Sequence, residues 1–141
     1  MAQTATIYNF DIDLADFDKH FSPVAEKFDM KWRLAQSSHR PRMIILVSKY
    51  DHCLVDLLYR QRNGELACDF PLMISNHPDA KNHADFYGVP LHVIPVSKEN
   101  KPQAEAQQIE LLEKNKIDLV VLARYMQVLS TEFIKDRKSV V

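Results

Sequence analysis

The strongest constraint on the fold is a series of short apolar segments that begins at residue 43 and alternates with helical patterns. The first segment, residues 43–47, is continuously apolar, which is typical of a strand buried on both faces of a parallel sheet. Further strands are predicted at 70–74, 91–94 and 119–122. Strands that alternate with helices form parallel βαβ units, so the predicted fold class is α/β with a doubly wound, mostly parallel sheet.

Capping residues mark the ends of the intervening helices. Asp51 and Ser130 suit N-cap positions, and Gly88 suits a left-handed C-cap. The first predicted helix starts at about residue 51. The other three cover residues 79–87, 101–115 and 130–134. A fifth strand begins at residues 139–141. Because a domain rarely ends inside a buried strand, we expect the chain to be truncated there.

Residues 5–36 have a different pattern, which predicts a strand, a helix and a strand. Residues 5–10 have strand composition, and residues 30–34 alternate between apolar and polar side chains. Between them, helical spacing is shown by Phe17, Phe21, Val24, Ala25 and Phe28. The predicted organisation is a small N-terminal segment (1–36), a polar linker (37–41) and a larger domain (42–141).

Composition excludes several functional classes. The chain has two glycines, so Gly-rich phosphate-binding loops of the Rossmann or Walker type lack their residues. A net charge of -1 favours neither nucleic acid nor an anionic membrane as partner. No apolar run approaches the ~20 residues of a membrane span, and the N-terminus is unlike a secretory signal. The two cysteines form no disulfide framework, which favours the cytoplasm.

Candidate site residues follow from the rule that open α/β sheets bind ligands outside the carboxyl ends of their strands. The rule selects residues 48–52, 75–79 and 123–129. The candidate cleft-lining residues in the first two segments are Ser48, Asp51, Asn76 and His77. The cluster at 75–79 has two interpretations: an acid/base loop, or a helix entry with Pro78 in the first turn and Asn76 or Asp79 as cap.

Two further sets of residues leave alternatives open. Arg124, Tyr125 and Met126 directly follow a buried strand, so they either form a wall for a flat apolar ligand or pack locally. The second set could suggest a metal and comprises His77, Asp79, His83 and Asp85. Their spacing matches no metal-binding pattern, so no metal is expected.

Several strings match a known family. They are VSK at 47–49, DHCL at 51–54, DLLYR at 56–60, SNHPD at 75–79 and DLVVLARYMQVLS at 118–130. Residues 41–141 closely resemble the first half of the catalytic domain of formyltetrahydrofolate deformylases, a formyltransferase-like fold. Residues 5–36 resemble the second half of the ferredoxin-like ACT domain that precedes it.

The resemblance implies an activity. Deformylases hydrolyse 10-formyltetrahydrofolate to tetrahydrofolate and formate, which supplies formate for purine biosynthesis and balances one-carbon pools. Related enzymes use an Asn-x-His pair and an Asp, which by this resemblance are expected beyond Val141, so the 141 residues alone are expected to be inactive. The folate derivative is a substrate rather than a cofactor.

The resemblance also implies which residues bind and what they bind. The pterin-binding segment would comprise Arg124, Tyr125, Met126, Gln127, Val128 and Leu129. A small-molecule regulator at the ACT-like segment and a homo-oligomer are implied for the full-length protein.

Three functional hypotheses remain open at this point: an enzyme, a non-catalytic folate-binding or regulatory module, and an unstable fragment. For an enzyme, the alternatives are a deformylase and a phosphoribosylglycinamide formyltransferase-like enzyme. The loop at 48–52 contains no glycine and adds the Asp51 carboxylate, which disfavours binding of a phosphate and therefore favours the deformylase.

Overall fold

The structure is a computed structural model, and it describes residues 13–34, 39–135 and 140. The chain divides into two compact units, Met1–Ser37 and Ser38–Val141. The strand predicted at 5–10 lies outside the described residues. None of the described helices is long and apolar enough to cross a membrane.

The described part of the N-terminal unit is one helix with an aromatic cluster. Helix α1 covers Leu14–Lys27, in agreement with the predicted helical spacing. The Phe17 and Phe21 rings stack at 5.3 Å, and the Trp32 ring meets them edge-on at 5.6 and 4.9 Å. The strand predicted at 30–34 is wrong, because these residues pair with no other strand in the described part of the chain. Trp32 instead places its ring against α1.

The second unit has the predicted α/β alternation. In chain order, its elements are β1 Met43–Val47, α2 His52–Arg62, β2 Met73–Ser75, a 3-10 turn Pro78–Ala80, α3 Lys81–Tyr87, β3 Leu91–Val93, α4 Lys101–Lys114, β4 Leu119–Ala123 and α5 Thr131–Lys135. The four strands form one parallel sheet in the order β3-β2-β1-β4. Val140 forms an isolated parallel bridge with Val120, which agrees with a fifth strand beginning there.

The core lies on both faces of this sheet, which explains the continuous apolar run of β1. Ile44 and Leu46 face one cluster, which α4 and α5 complete through Ala104, Leu112 and Phe133. Ile45 and Val47 face the other cluster, which α2 and α3 complete through Leu54, Leu58 and Ala84. Full burial of each of these aliphatic side chains contributes about 2 kcal/mol, so both faces of β1 stabilise the fold.

Two predicted details have clear outcomes. Gly88 ends α3 with φ +68° and its backbone N–H bonds to the Ala84 carbonyl, so the left-handed C-cap is confirmed. The second strand begins at Met73, not at residue 70 as predicted. Pro71 has no N–H to donate to a ladder, and strand pairing before it is limited to the bridge between Arg42 and Asp69.

The order of the strands indicates where a ligand crevice would lie. The chain runs outward from β1 through β2 to β3, and α4 then carries it back to β4 on the other side of β1. The direction of winding therefore reverses between β1 and β4. Val47 and Ala123, their last residues, are paired in register. Open α/β sheets bind ligands at such a switch point, outside the carboxyl ends of the two strands.

Candidate functional site

A hydrogen bond joins the connections that follow the two strands at this position. Ser48 directly follows β1 and is only 3% exposed. Its Oγ accepts a hydrogen bond of 2.9 Å from the backbone N–H of Met126. The connection after β4 is thereby fixed to the end of β1.

Two buried polar side chains of α4 hold the rest of this connection, residues 124–130, which we call the β4 loop. Gln108 donates a 2.9 Å hydrogen bond from Nε2 to the Tyr125 hydroxyl, and both residues are buried. The backbone N–H of Ser130 donates to Glu105 Oε1 at 3.0 Å. Burial raises the pKa of Tyr125, so its hydroxyl stays protonated at neutral pH. The β4 loop is thus held at three points by residues distant in sequence.

Between these points the β4 loop exposes apolar side chains. Met126 is 65% exposed and Val128 is 81% exposed, whereas Gln127 and Leu129 are partly buried. The Tyr125 side chain points into the core, so among the predicted folate-binding residues it offers a ligand mainly its backbone. A rigid loop with exposed apolar side chains at a strand end suits a flat, largely apolar ligand.

Arg124 opens the β4 loop in an unusual backbone conformation. Its φ is +54°, in the left-handed region that few residues other than glycine adopt readily. Its guanidinium carbon lies 5.1 Å from the centre of the Tyr50 ring. Arg124 therefore contacts the connection that follows β1.

Asp51 occupies the predicted N-cap position of α2, but its side chain caps nothing. Its backbone is helical (φ −107°, ψ −9°), whereas capping side chains act from an extended backbone. The carboxylate instead accepts a 2.6 Å hydrogen bond from Nε2 of His83 in α3. This hydrogen bond lowers the pKa of Asp51, so a negative charge persists beside the α2 N-terminus.

The connection after β2 agrees with one part of the predicted helix entry and contradicts another. Pro78 opens the 3-10 turn as predicted, but neither Asn76 nor Asp79 caps a helix with its side chain. The local bond is instead donated by the His77 N–H to Ser75 Oγ at 3.0 Å. Asn76 Oδ1 is buried and has no hydrogen-bond partner among the described residues. An acid/base role for Asn76 and the exposed His77 stays a prediction.

Two of the four residues that could have suggested a metal pair with other side chains. His83 pairs with Asp51, and Asp85 pairs with Lys81 at 2.8 Å. In residues 13–34, 39–135 and 140, no group of three or more His, Cys, Asp or Glu side chains could hold a metal ion.

Sequence reasoning missed the two anchors on α4. Ala104, Gln108 and Leu112 recur every four residues and are all buried, so Gln108 is a polar residue on the apolar face of the helix. A buried amide needs a hydrogen-bond partner, so the polar residue at this apolar position of the sequence could have indicated that Gln108 holds another side chain. Glu105 lies beside this stripe and is also buried.

The fold defines the class: a doubly wound α/β domain with a candidate ligand site at the switch point between β1 and β4. A model of the formyl transferase family matches residues 41–140. Because that match covers most of the chain, the chain belongs to the formyl transferase family.

The comparisons with individual proteins confirm the predicted resemblance. The chain is 45% identical to a formyltetrahydrofolate deformylase of Synechocystis, a match covering 89% of this chain and 44% of the relative. It is 48% identical to one of Corynebacterium, over 84% of this chain and 42% of the relative. The solved deformylase of Burkholderia mallei superposes with a TM-score of 0.75 at 41% identity, covering 89% of this chain and 45% of that one. The chain therefore spans less than half the length of these relatives.

Proposed function

We propose that the protein hydrolyses 10-formyltetrahydrofolate to tetrahydrofolate and formate. The observation that carries the proposal is the 41–48% identity to deformylases over 84–89% of this chain. The anchored β4 loop supports it, because a reduced pterin is a flat ligand of the kind that such a loop suits.

We assign the pterin-binding role to the β4 loop. The apolar side chains would contact the ring faces, and the backbone polar groups would bind its nitrogen and oxygen atoms. The assigned residues are Arg124, Tyr125, Met126, Gln127, Val128 and Leu129. Ser48, Asp51, Asn76 and His77 would line the neighbouring cleft.

Hydrolysis of the formyl group needs catalytic side chains, and residues 1–141 do not contain them in the Asn-x-His arrangement that the resemblance implies. Water must attack the formyl carbon, the bond to the folate nitrogen must break, and that nitrogen must gain a proton. A donor for the developing oxyanion, a group that orients water and a proton source are required. The sequence has no Asn-x-His motif, so we place these catalytic groups outside residues 1–141.

Water is favoured over a phosphorylated acceptor by the charge at the start of α2. Asp51 stays ionised there because His83 donates a hydrogen bond to it. A phosphate at this helix N-terminus would meet that carboxylate, and the loop at 48–52 has no glycine to bring backbone N–H groups together. This supports a deformylase over a phosphoribosylglycinamide formyltransferase-like enzyme.

The remaining parts of the proposal concern setting and partners. In the cytoplasm, the released formate would supply purine biosynthesis and balance the one-carbon pools. Residues 1–36 would be part of an ACT-like unit that binds a small-molecule regulator. The full-length protein would form a homo-oligomer.

The test is an assay of the protein expressed from its complete coding sequence. We expect one formate and one tetrahydrofolate per 10-formyltetrahydrofolate consumed, with no need for glycinamide ribonucleotide. Strict dependence on that ribonucleotide would identify a transformylase instead. Folate binding without any turnover would identify a non-catalytic module.

A further inference from the structure

Two exposed side chains join the connections that follow β1 and β4. Tyr50 lies three residues after β1, and Arg124 directly follows β4. The guanidinium carbon of Arg124 lies 5.1 Å from the centre of the Tyr50 ring, so a cation–π contact joins the two sides. The bond between Ser48 and Met126 joins the same two connections at a buried position, since Ser48 is 3% exposed. The contact of Tyr50 with Arg124 joins them at the surface.

This surface contact contributes little to the stability of the fold. Tyr50 is 57% exposed, and Arg124 is also exposed. Arg124 forms no salt bridge with a carboxylate of the described residues. Exposed cation–π contacts are weak, so packing alone does not explain why these two side chains meet.

The backbone conformation of Arg124 indicates that its side chain has a function. At φ +54° a glycine would fit without strain, whereas an arginine adopts this conformation at a cost. Strained residues other than glycine are concentrated at functional sites, where the side chain is needed. The strain thus points to a function of the Arg124 side chain.

We infer that Tyr50 and Arg124 form a gate that admits water to the formyl group and keeps amines out. The inference rests on the proposed deformylase activity. The two side chains would stand between the solvent and the formyl group. The permanent charge of the guanidinium would repel protonated amines, the predominant form of an alkylamine at neutral pH, before one could lose its proton and attack. Water is small and neutral, so it passes.

Without the gate, an amine would compete with water for the same carbon. The amine nitrogen would attack the formyl carbon, and the bond to the folate nitrogen would break. The folate nitrogen would take up the proton that the amine loses. The products would be an N-formyl amine and tetrahydrofolate instead of formate and tetrahydrofolate.

The experiment measures how each turnover is divided between water and an added amine. The full-length protein receives 10-formyltetrahydrofolate labelled with 13C in the formyl group, together with glycinamide as the amine probe. NMR then gives the ratio of N-formylglycinamide to formate. We expect almost only formate from the unaltered protein, and a ratio at least tenfold higher for Arg124→Gly and for Tyr50→Ala. Tyr50→Phe, which keeps the ring, should retain the original ratio.

The ratio compares two products of the same turnovers, so a change in the total rate does not affect it. Unchanged ratios in both Arg124→Gly and Tyr50→Ala would overturn the gate. A folded Tyr50→Ala variant that releases no tetrahydrofolate would also overturn it, because Tyr50 would then belong to the catalytic machinery. If the unaltered protein releases no formate, the proposed function is wrong instead.

Discussion

The connections that follow β4 and β2 leave the same edge of one sheet, yet they are held in different ways. The β4 loop is bonded to Ser48, Glu105 and Gln108, which lie 17 to 78 residues away in sequence. The connection after β2 is held by a bond between Ser75 and His77, two residues apart. The first needs the tertiary structure, whereas the second is a local turn.

The difference teaches what a ligand platform requires in this fold. Buried polar groups hold the β4 loop while Met126 and Val128 remain exposed. Under the proposed function, the pterin would cover these two side chains, and the fixed loop would hold them in place for it. The connection after β2 exposes polar groups instead and leads directly into a proline-started turn.

The largest expected effect comes from removing the Gln108 anchor. Gln108→Leu leaves the buried Tyr125 hydroxyl without its hydrogen-bond donor. We expect a loss of about 2 kcal/mol in the free energy of unfolding, measured by urea denaturation.

The matched control is the double variant Gln108→Leu with Tyr125→Phe. Removing both polar partners leaves no unsatisfied group, so most of the lost stability should return. If the double variant is as unstable as Gln108→Leu alone, the hydrogen bond is not what holds the β4 loop.

A smaller effect should separate the two connections directly. Ser48→Ala removes the acceptor of the Met126 N–H, and Ser75→Ala removes the acceptor of the His77 N–H. Each change should cost about 1 kcal/mol in the free energy of unfolding. Only Ser48→Ala should weaken tetrahydrofolate binding, which isothermal titration calorimetry of the full-length protein would measure. Equal weakening by both would remove the distinction between the two connections.

The smallest effect concerns the bond between Asp51 and His83, which joins the connection after β1 to α3. The folded-state pKa of Asp51 lies below its ordinary value because His83 donates a hydrogen bond to it. Its contribution to stability is therefore present above a pH of about 3.9 and is lost as the pH falls through the lowered pKa.

Asp51→Asn should remove this pH dependence. Because the carboxylate is half exposed, we expect a difference of only about 0.3 kcal/mol between pH 7 and pH 3 in urea unfolding. A pH dependence identical to that of the unaltered protein would show that the bond contributes nothing in solution.

The type and order of the elements in residues 42–135 could be predicted from the sequence, because buried parallel strands and capped helices leave local patterns. Prediction failed where pairing or strain decides. Residues 30–34 alternate like a strand, but the structure assigns them none, and Trp32 packs its ring against α1. The segment at 70–72 is apolar, but Pro71 cannot join a ladder.

The candidate site residues followed from the rule that open α/β sheets bind ligands outside the carboxyl ends of their strands, and their role in binding stays a prediction. The hydrogen bonds that hold the β4 loop could not be predicted in this way. Ser48 was predicted as a cleft residue, but its bond to Met126 joins residues 78 positions apart. The contact of Arg124 with Tyr50 depends on a positive φ that the sequence does not signal.

The central claim is that the β4 loop is the folate platform, and Val128 tests it most directly. Val128 is 81% exposed, and Phe86 on α3 is 70% exposed, so a serine at either position leaves the buried core intact. The measurement is the Kd of tetrahydrofolate for the two full-length variants by isothermal titration calorimetry. We predict that Val128→Ser raises the Kd about tenfold, since burial of a valine under a ligand is worth about 1.5 kcal/mol, and that Phe86→Ser leaves it unchanged. The same Kd for Val128→Ser and the unaltered protein would contradict the claim.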